Sequence, residues 1–384
     1  LPEVNYPATL NCAAELLDRH VGSGAGDNRA IITDAETWSY AGLLARSNQV
    51  AHTLVDDLGL VPGNRVLLRG PNNPWLVASW FGVIKAGGVA VTTMPLLRQR
   101  ELQTMIEIAD VRMAICDDRF VDDLNAAAPR GFQTVTYRSD GFASTKSAEF
   151  ANVATAADDV CMLAFTSGTT GRPKATMHFH RDVMASCACF PPHVLRANAD
   201  DVFIGSPPLA FTFGLGGLTL FPMAIGAQTV LIEKPAPAEL LDAIVAERAT
   251  VLFTAPTSYR AMAQAAKERK VSVRDGGALR KCVAAGEALP AATRALWRDA
   301  TGIEIIDGIG ATEMLHIFIA ADEAHARPGA TGTAVPGYRA RVVDDDGNEV
   351  PPGTIGRLAV QGPTGCRYLD DARQADYVRR GWNY

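Results

Sequence analysis

Between Leu163 and Ala175 the chain reads L-A-F-T-S-G-T-T-G-R-P-K-A. Six small residues, Thr166, Ser167, Gly168, Thr169, Thr170 and Gly171, precede two cations, Arg172 and Lys174. Glycines permit backbone angles that turn several N–H groups to one side of a loop, and such a concavity binds phosphate oxygens. Hydroxyls add donors and the cations add positive charge, so three features converge on polyanion binding. A solvated Ser/Thr/Gly turn would explain Gly168 and Gly171 alone. It explains poorly the two cations and the apolar run from Cys161 to Phe165 that reads as a buried strand. The G-x-x-x-x-G-K-[ST] phosphate loop does not fit. Counted from Gly168, its second glycine falls on Pro173, which lacks an N–H, and Ala175 follows the lysine.

Asp307 to Phe318 reads D-G-I-G-A-T-E-M-L-H-I-F. A strand is expected to end at Asp307, and Gly308 and Gly310 let the outgoing loop approach a ligand closely. Thr312 and Glu313 follow at once. Ligands of open α/β sheets sit at the carboxyl ends of strands. A carboxylate beside a bound polyphosphate is unfavourable unless a cation lies between them, and magnesium takes one or two carboxylates plus phosphate oxygens. Glu313 is therefore the metal candidate. Read alone, this Thr-Glu is a helix cap; beside a phosphate loop the metal reading is the better one. Two further stretches share the setting. Ala284 to Leu289, A-A-G-E-A-L, is a strand–turn–helix start with Glu287 near a helix N-terminus, as the helix dipole favours. Ser206 to Gly217, S-P-P-L-A-F-T-F-G-L-G-G, carries Phe211, Thr212 and Phe213 with no acid nearby.

The string T-S-G-T-T-G-R-P-K resembles the signature of the adenylate-forming superfamily: acyl- and aryl-CoA ligases, luciferases and peptide-synthetase adenylation domains. The resemblance implies ATP, Mg2+ and coenzyme A as the small molecules used. It gives the loop from Thr166 to Lys174 to the phosphates, Glu313 and Thr166 to magnesium, and Gly286, Glu287 and Ala288 to adenine. Asp307 matches the position that reads the adenine amino group, within a segment Asp307, Gly308, Ile309, Gly310 and Thr312 that borders the nucleotide. Ile309 departs from the pattern, since the family usually has an aromatic residue there that stacks on adenine. Peptide-synthetase domains keep an aspartate near Phe211 to pair with an α-ammonium. Without one, an amino-acid substrate would leave that ammonium unpaired in an apolar pocket, which is expensive. An acid without an α-amine is expected. The segments D-G-I-G-A-T-E-M-L-H-I-F and P-P-L-A-F-T-F-G-L-G resemble the benzoate- and 2-aminobenzoate-CoA ligase branch. That resemblance places Phe211, Thr212, Phe213, Ala285, Gly310 and His316 around an aromatic carboxylic acid. A lone histidine between Leu315 and Ile317 is otherwise a core residue. An adenylation domain that loads a carrier protein, and a non-catalytic nucleotide-binding protein, are the alternatives.

The elements that must hold these residues follow from pattern. Helical spacing covers residues 8–20, Tyr40 to Leu58, Pro74 to Lys85 and Glu101 to Ala109. Strands are expected at Ala30 to Thr33, Thr37 to Tyr40, Arg65 to Leu68, Val89 to Thr93 and Met113 to Cys116. After the loop, strands at Val202 to Gly205, Thr229 to Leu231, Val251 to Thr254, Cys282 to Ala285 and Glu304 to Asp307 alternate with helices. Such alternation predicts parallel β-α-β units. Closely spaced glycines after about Leu315 predict a small antiparallel sheet or barrel. The expected fold is two α/β subdomains with mostly parallel sheets, residues 1–150 and 151–318, and a small β-barrel subdomain, residues 319–384. The family continues beyond the R-R-G-W-N-Y end into Thr-Gly-Asp and a mobile C-terminal domain. The resemblance puts the lysine that assists adenylation there, so no catalytic base is assigned.

A chain of 384 residues exceeds what one hydrophobic core usually holds, about 250–300 residues. A hydrophobic fraction of 48% and a charged fraction of 20% suit a globular protein. The net charge of -6 argues against a nucleic-acid partner. No apolar run reaches the ~18 residues of a membrane span, and the N-terminus does not read as a signal peptide. Seven cysteines without C-x-x-C predict reduced thiols in a cytoplasmic protein. Cys187, Cys189 and His193 are read as part of a buried segment rather than as metal ligands, because zinc would need more donors.

Overall fold

A computed structural model describes residues 5–137, 142–166, 171–269 and 278–384. Three sheets organise the described chain. The first has six strands in the order Gln133–Tyr137, Met113–Asp117, Arg65–Arg69, Val89–Thr93, Val160–Thr166 and Lys174–Phe179. Its first five strands are parallel, and the sixth turns back antiparallel on Val160–Thr166. The second has nine strands. Its six central ones, Ile305–Gly310, Lys281–Ala284, Val251–Thr254, Val202–Gly205, Gln228–Val230 and Arg29–Ile32, are all parallel. Antiparallel strands finish both of its edges: Ile317–Ala320 and Thr333–Ala334 on one side, Thr37–Ser39 on the other. Mostly parallel sheets need helical crossovers, and these supply the alternation read from the sequence.

Local chemistry explains why the crossovers form. Helix Pro74–Lys85 starts on Asn73, whose side chain accepts the Leu76 N–H at 2.9 Å, with Pro74 in the first turn. Eleven of its twelve residues are buried, because it is enclosed on all sides rather than on one face. Helix Tyr40–His52 takes its cap from Ser39, whose hydroxyl accepts the Gly42 N–H at 3.1 Å. The largest hydrophobic cluster runs from Leu68 and Phe81 under the first sheet to Phe203, Phe253 and Ile306 under the second, so both sheets share one core.

The sheets do not follow the division at 150/151 or 318/319. Arg29–Ile32 and Thr37–Ser39 join the second sheet, through Ile31 opposite Thr229 and Ile32 opposite Val230. The hairpin Val160–Thr166 and Lys174–Phe179 joins the first. Strand Ile317–Ala320 crosses the second boundary. Periodicity reveals that a strand exists, but its partner is fixed by packing across many residues, which no local pattern carries. The third sheet has the order Arg339–Val343, Arg357–Gln361, Trp382–Asn383 and Val378–Arg379, all antiparallel. Its first and last strands do not pair among the described residues, so it is open rather than closed into a barrel. No described helix is long and apolar enough to cross a membrane.

Candidate active site

The candidate residues gather at the carboxyl ends of strands from both large sheets. Thr166 ends its strand directly opposite Lys174 in the antiparallel hairpin. Its Oγ1 is buried without a hydrogen-bond partner among the described residues. Ser167, Gly168, Thr169 and Thr170 lie outside the described residues. Gly171 takes φ +117°, a left-handed value, with open space where a side chain would begin. The two cations differ in exposure. Arg172 is exposed and lines a cavity of about 910 Å³ with Thr166, Gly171, Pro173, Phe165 and Phe211. Lys174 is buried, with Nζ 4.0 Å from Glu313 Oε1. Tyrosine rings cover that ammonium, with centroids 3.7 Å away for Tyr377 and 4.5 Å for Tyr368.

Why Lys174 faces Glu313 follows from strand alternation. Lys174, Thr176 and His178 share one face of Lys174–Phe179. His178 is fully buried, and its Nε2 lies 2.8 Å from the Thr312 carbonyl. A carbonyl only accepts, so Nε2 carries the proton. The turn Thr312–Met314 is held at each residue by a different side chain. His178 holds the Thr312 carbonyl, the Tyr368 hydroxyl donates to Glu313 Oε1 at 2.5 Å, and the Thr364 hydroxyl donates to the Met314 carbonyl at 2.8 Å. Burial and the Glu313 carboxylate push the Tyr368 hydroxyl far above its ordinary pKa, which keeps it a donor. This support matters because Leu315, next in line, sits at φ 70° and ψ -43°, close to the strained classic γ-turn. Sequence reading did not find His178, Thr364, Tyr368 or Tyr377. No local pattern in K-A-T-M-H-F flags His178, and the others arrive by tertiary contact.

Beyond the strained residue stands His316, 4% exposed, inside a ring of four phenylalanines. Centroid separations are 4.5 Å to Phe221, 5.4 Å to Phe190, 5.6 Å to Phe213 and 6.1 Å to Phe253. Gly216 makes room for it, since a Cβ there would lie 2.4 Å from His316 Cδ2. Neither ring nitrogen meets a hydrogen-bond partner among the described residues. Burial drives the pKa down to about 3, opposed only by the nearby Phe213 backbone, so the ring is neutral at physiological pH. Phe213 and Ala285 are at least partly buried beside this region, Thr212 is buried, and Phe211 is 46% exposed at the cavity wall.

The candidate adenine segment is arranged differently. Gly286 takes φ +91° and has nothing within 4 Å of the point where a Cβ would stand, leaving an open face. Glu287 Oε1 accepts the Thr257 N–H at 2.9 Å, tying the segment to helix Pro256–Arg269. Ala288 is exposed. Asp307 lies opposite Ala284 in the adjoining strand. Burial raises its pKa, against Arg294, the Gly308 N–H and the Thr331 hydroxyl, which lower it. Gly308 packs against Ile317, Gly310 against the His316 carbonyl, and Ile309 between them is 38% exposed.

Magnesium fits the oxygen donors at the loop. Strand Val160–Thr166 contacts the Thr312–Met314 turn, and together they offer the unpartnered Thr166 hydroxyl and the Glu313 carboxylate, both hard ligands. Cys187, Cys189 and His193 join no grouping of metal-ligating atoms among the described residues. Cys12, Cys161 and His180 do lie within 4.8 Å of one another. There His180 Nδ1 accepts the Cys12 backbone N–H at 3.1 Å and so caps the start of the helix that begins at Cys12.

Residues 17–367 match the AMP-binding enzyme family. The chain belongs to that family. It is similar to the benzoate–CoA ligase of Thauera aromatica, 31% identical over 94% of this chain and 70% of that protein. It is also similar to the anthranilate–CoA ligase of Pseudomonas aeruginosa, 30% identical over 84% of this chain and 62% of that protein. The crystal structure of an anthranilate CoA ligase in complex with anthranoyl-AMP superposes with a TM-score of 0.92 at 30% identity, covering 98% of this chain and 74% of that one. A benzoate CoA ligase from Burkholderia xenovorans LB400 gives 0.90 at 27% identity, over 97% of this chain and 76% of that one.

Proposed function

We propose that the protein is an ATP-dependent aryl-CoA ligase acting on an aromatic carboxylic acid of the benzoate or 2-aminobenzoate type. The observation that carries this reading is the joining of opposite chemistries on one turn. Glu313 faces Lys174 at 4.0 Å, while His316, three residues on, is set among phenylalanine rings. A polyphosphate and an aromatic ring can thus be held by neighbouring stretches of one loop. The acid's carboxylate attacks the α-phosphorus of ATP, and pyrophosphate leaves. The coenzyme A thiol then attacks the acyl-adenylate, and AMP leaves. Such chemistry depends mainly on positioning and charge stabilisation. Lys174, Arg172 and the loop from Thr166 to Gly171 hold the departing pyrophosphate. Glu313 and Thr166 would hold magnesium, which neutralises charge on the phosphate oxygens. Asp307 and the segment from Gly286 to Ala288 hold adenine, while Ile309 packs on it. Phe211, Thr212, Phe213, Ala285, Gly310 and His316 enclose the aryl group. Seven free, buried thiols suit a cytoplasmic enzyme.

A pyrophosphate-release screen with benzoate, 2-aminobenzoate, hydroxybenzoates and medium-chain fatty acids tests the reading. Release with aryl acids and thioester formation with coenzyme A are expected. Adenylate that passes only to a carrier protein would move the assignment to an adenylation domain. ATP binding without release from any acid would overturn catalysis altogether.

A further inference from the structure

After Gln361 the backbone crosses to the edge strand of the six-stranded sheet and pairs with it. The Met177 N–H donates to the Arg367 carbonyl at 2.7 Å, the Leu369 N–H to the Ala175 carbonyl at 2.9 Å, and Tyr368 stands opposite Thr176. Further on, Arg373 Nη1 donates to the Arg172 carbonyl at 3.3 Å. This pairing lays Tyr368 and Tyr377 over the site. Their rings meet edge-to-face at 5.4 Å, and both cover the Lys174 ammonium.

The consequence is electrostatic. The Lys174 and Glu313 side chains are 6% and 19% exposed, oppositely charged and 4.0 Å apart. An ammonium and a carboxylate so placed gain by closing to a charge-assisted hydrogen bond of about 2.8 Å. Here each charge has another partner. The Tyr368 hydroxyl occupies Glu313 Oε1, and two ring faces hold the ammonium by cation–π attraction. We propose that Tyr368 and Tyr377 are positioning residues that stop Lys174 and Glu313 from closing on each other. A closed pair would neutralise both groups at the moment that polyphosphate needs the ammonium and magnesium needs the carboxylate. The inference rests on the assignment of Lys174 and Glu313 made under the proposed function. It requires that the tyrosines assist phosphate binding rather than compete with it.

Calorimetric titration of the intact protein with pyrophosphate, over a series of magnesium concentrations, tests it. Tyr377→Leu is expected to weaken magnesium-pyrophosphate binding roughly threefold to thirtyfold, the span of a cation–π contact. Tyr377→Phe, which keeps the ring, should retain wild-type affinity. Tyr368→Phe keeps its ring over Lys174 but frees Glu313 Oε1. It should raise the magnesium concentration for half-saturation several-fold. In a Glu313→Gln background Lys174 loses the carboxylate 4.0 Å away and keeps only the weaker field of Asp371, so Tyr377→Leu should then cost less than in the wild type; that coupling separates positioning from packing. Tighter pyrophosphate binding by Tyr377→Leu would show that the rings sequester the lysine and would overturn the proposal. Equal losses in Tyr377→Phe and Tyr377→Leu would also overturn it. If Lys174→Ala and Glu313→Gln themselves leave binding unchanged, the site assignment fails. If they weaken it while the tyrosine variants do not, the inference alone fails.

Discussion

The phosphate side and the aryl side of the site are built on opposite terms. Around Lys174 and Glu313 every charge has a nearby partner: a carboxylate, a hydroxyl or a ring face. Around His316 there are four aromatic rings and, among the described residues, no hydrogen-bond partner for either nitrogen. A pre-partnered charge is positioned before its ligand arrives, which is the condition for stabilising charge that develops during reaction. An unpartnered buried nitrogen is unfavourable until something bonds to it. The first arrangement serves rate; the second serves the choice of acid.

The largest effect should come from breaking the phosphate side. Lys174→Ala removes a buried cation whose setting is otherwise over-determined. Adenylation is expected to slow by ~100-fold or more, the usual cost of one lost charge-stabilising donor. Circular dichroism and melting temperature should show the fold intact, since the hairpin opposite Thr166 is held by backbone pairing. Wild-type single-turnover kinetics in this variant would remove Lys174 from the mechanism.

Breaking the aryl side should cost less in rate and more in selectivity. His316→Ala is expected to weaken aryl-acid binding by roughly 0.5–3 kcal/mol, depending on the charge of the bonded group, with ATP binding unchanged. The depressed pKa adds a second readout. With the folded value near 3 and the unfolded value near the ordinary 6.5, the unfolded chain binds more protons between those limits. Stability therefore rises with pH across that window, and is lost as pH falls from about 6.5 towards 3. Denaturant melts of wild type against His316→Ala should show this slope shrinking in the variant. A collapse of melting temperature with unchanged acid affinity in the folded fraction would make His316 a core residue only.

The same contrast decides how much is legible in the sequence. Helix Pro74–Lys85 and strands Val89–Thr93, Val202–Gly205 and Val251–Thr254 have the bounds that periodicity and turn residues predict. Local pattern carries such elements because their neighbours in sequence supply the caps and turns. Strand Lys174–Phe179 is not legible in this way: both its faces are mostly buried, so Lys-Ala-Thr-Met-His-Phe shows no clear apolar side. Without that strand, nothing shows that Lys174 and His178 point the same way. Tyr368 and Tyr377 lie about 200 residues beyond the loop they cover, and nothing local to R-Y-L-D-D or A-D-Y-V marks them. The cations and Glu313 are legible because charge at a glycine-rich strand end is itself a chemical signal. The geometry that keeps those charges apart is not.

Ile309 allows the smallest and most discriminating change. It stands at the strand end between Gly308 and Gly310, more than a third exposed, beside Asp307. An apolar side chain left in the open at that point offers contact area to a flat base but no π-face. Ile309→Tyr would supply one. An aromatic contact adds about 0.5–1 kcal/mol beyond simple burial, which corresponds to roughly two- to fivefold tighter binding of adenine nucleotides. Aryl-acid affinity should stay unchanged, because His316 faces the phenylalanine ring and Ile309 faces outward. AMP and ATP dissociation constants measured for both proteins decide this. Tighter nucleotide with unchanged acid would place adenine over Ile309 and separate the two pockets. A loss of acid affinity with no gain in nucleotide would mean that Ile309 borders the aryl group, and that the two sides of the site are less distinct than their chemistry suggests.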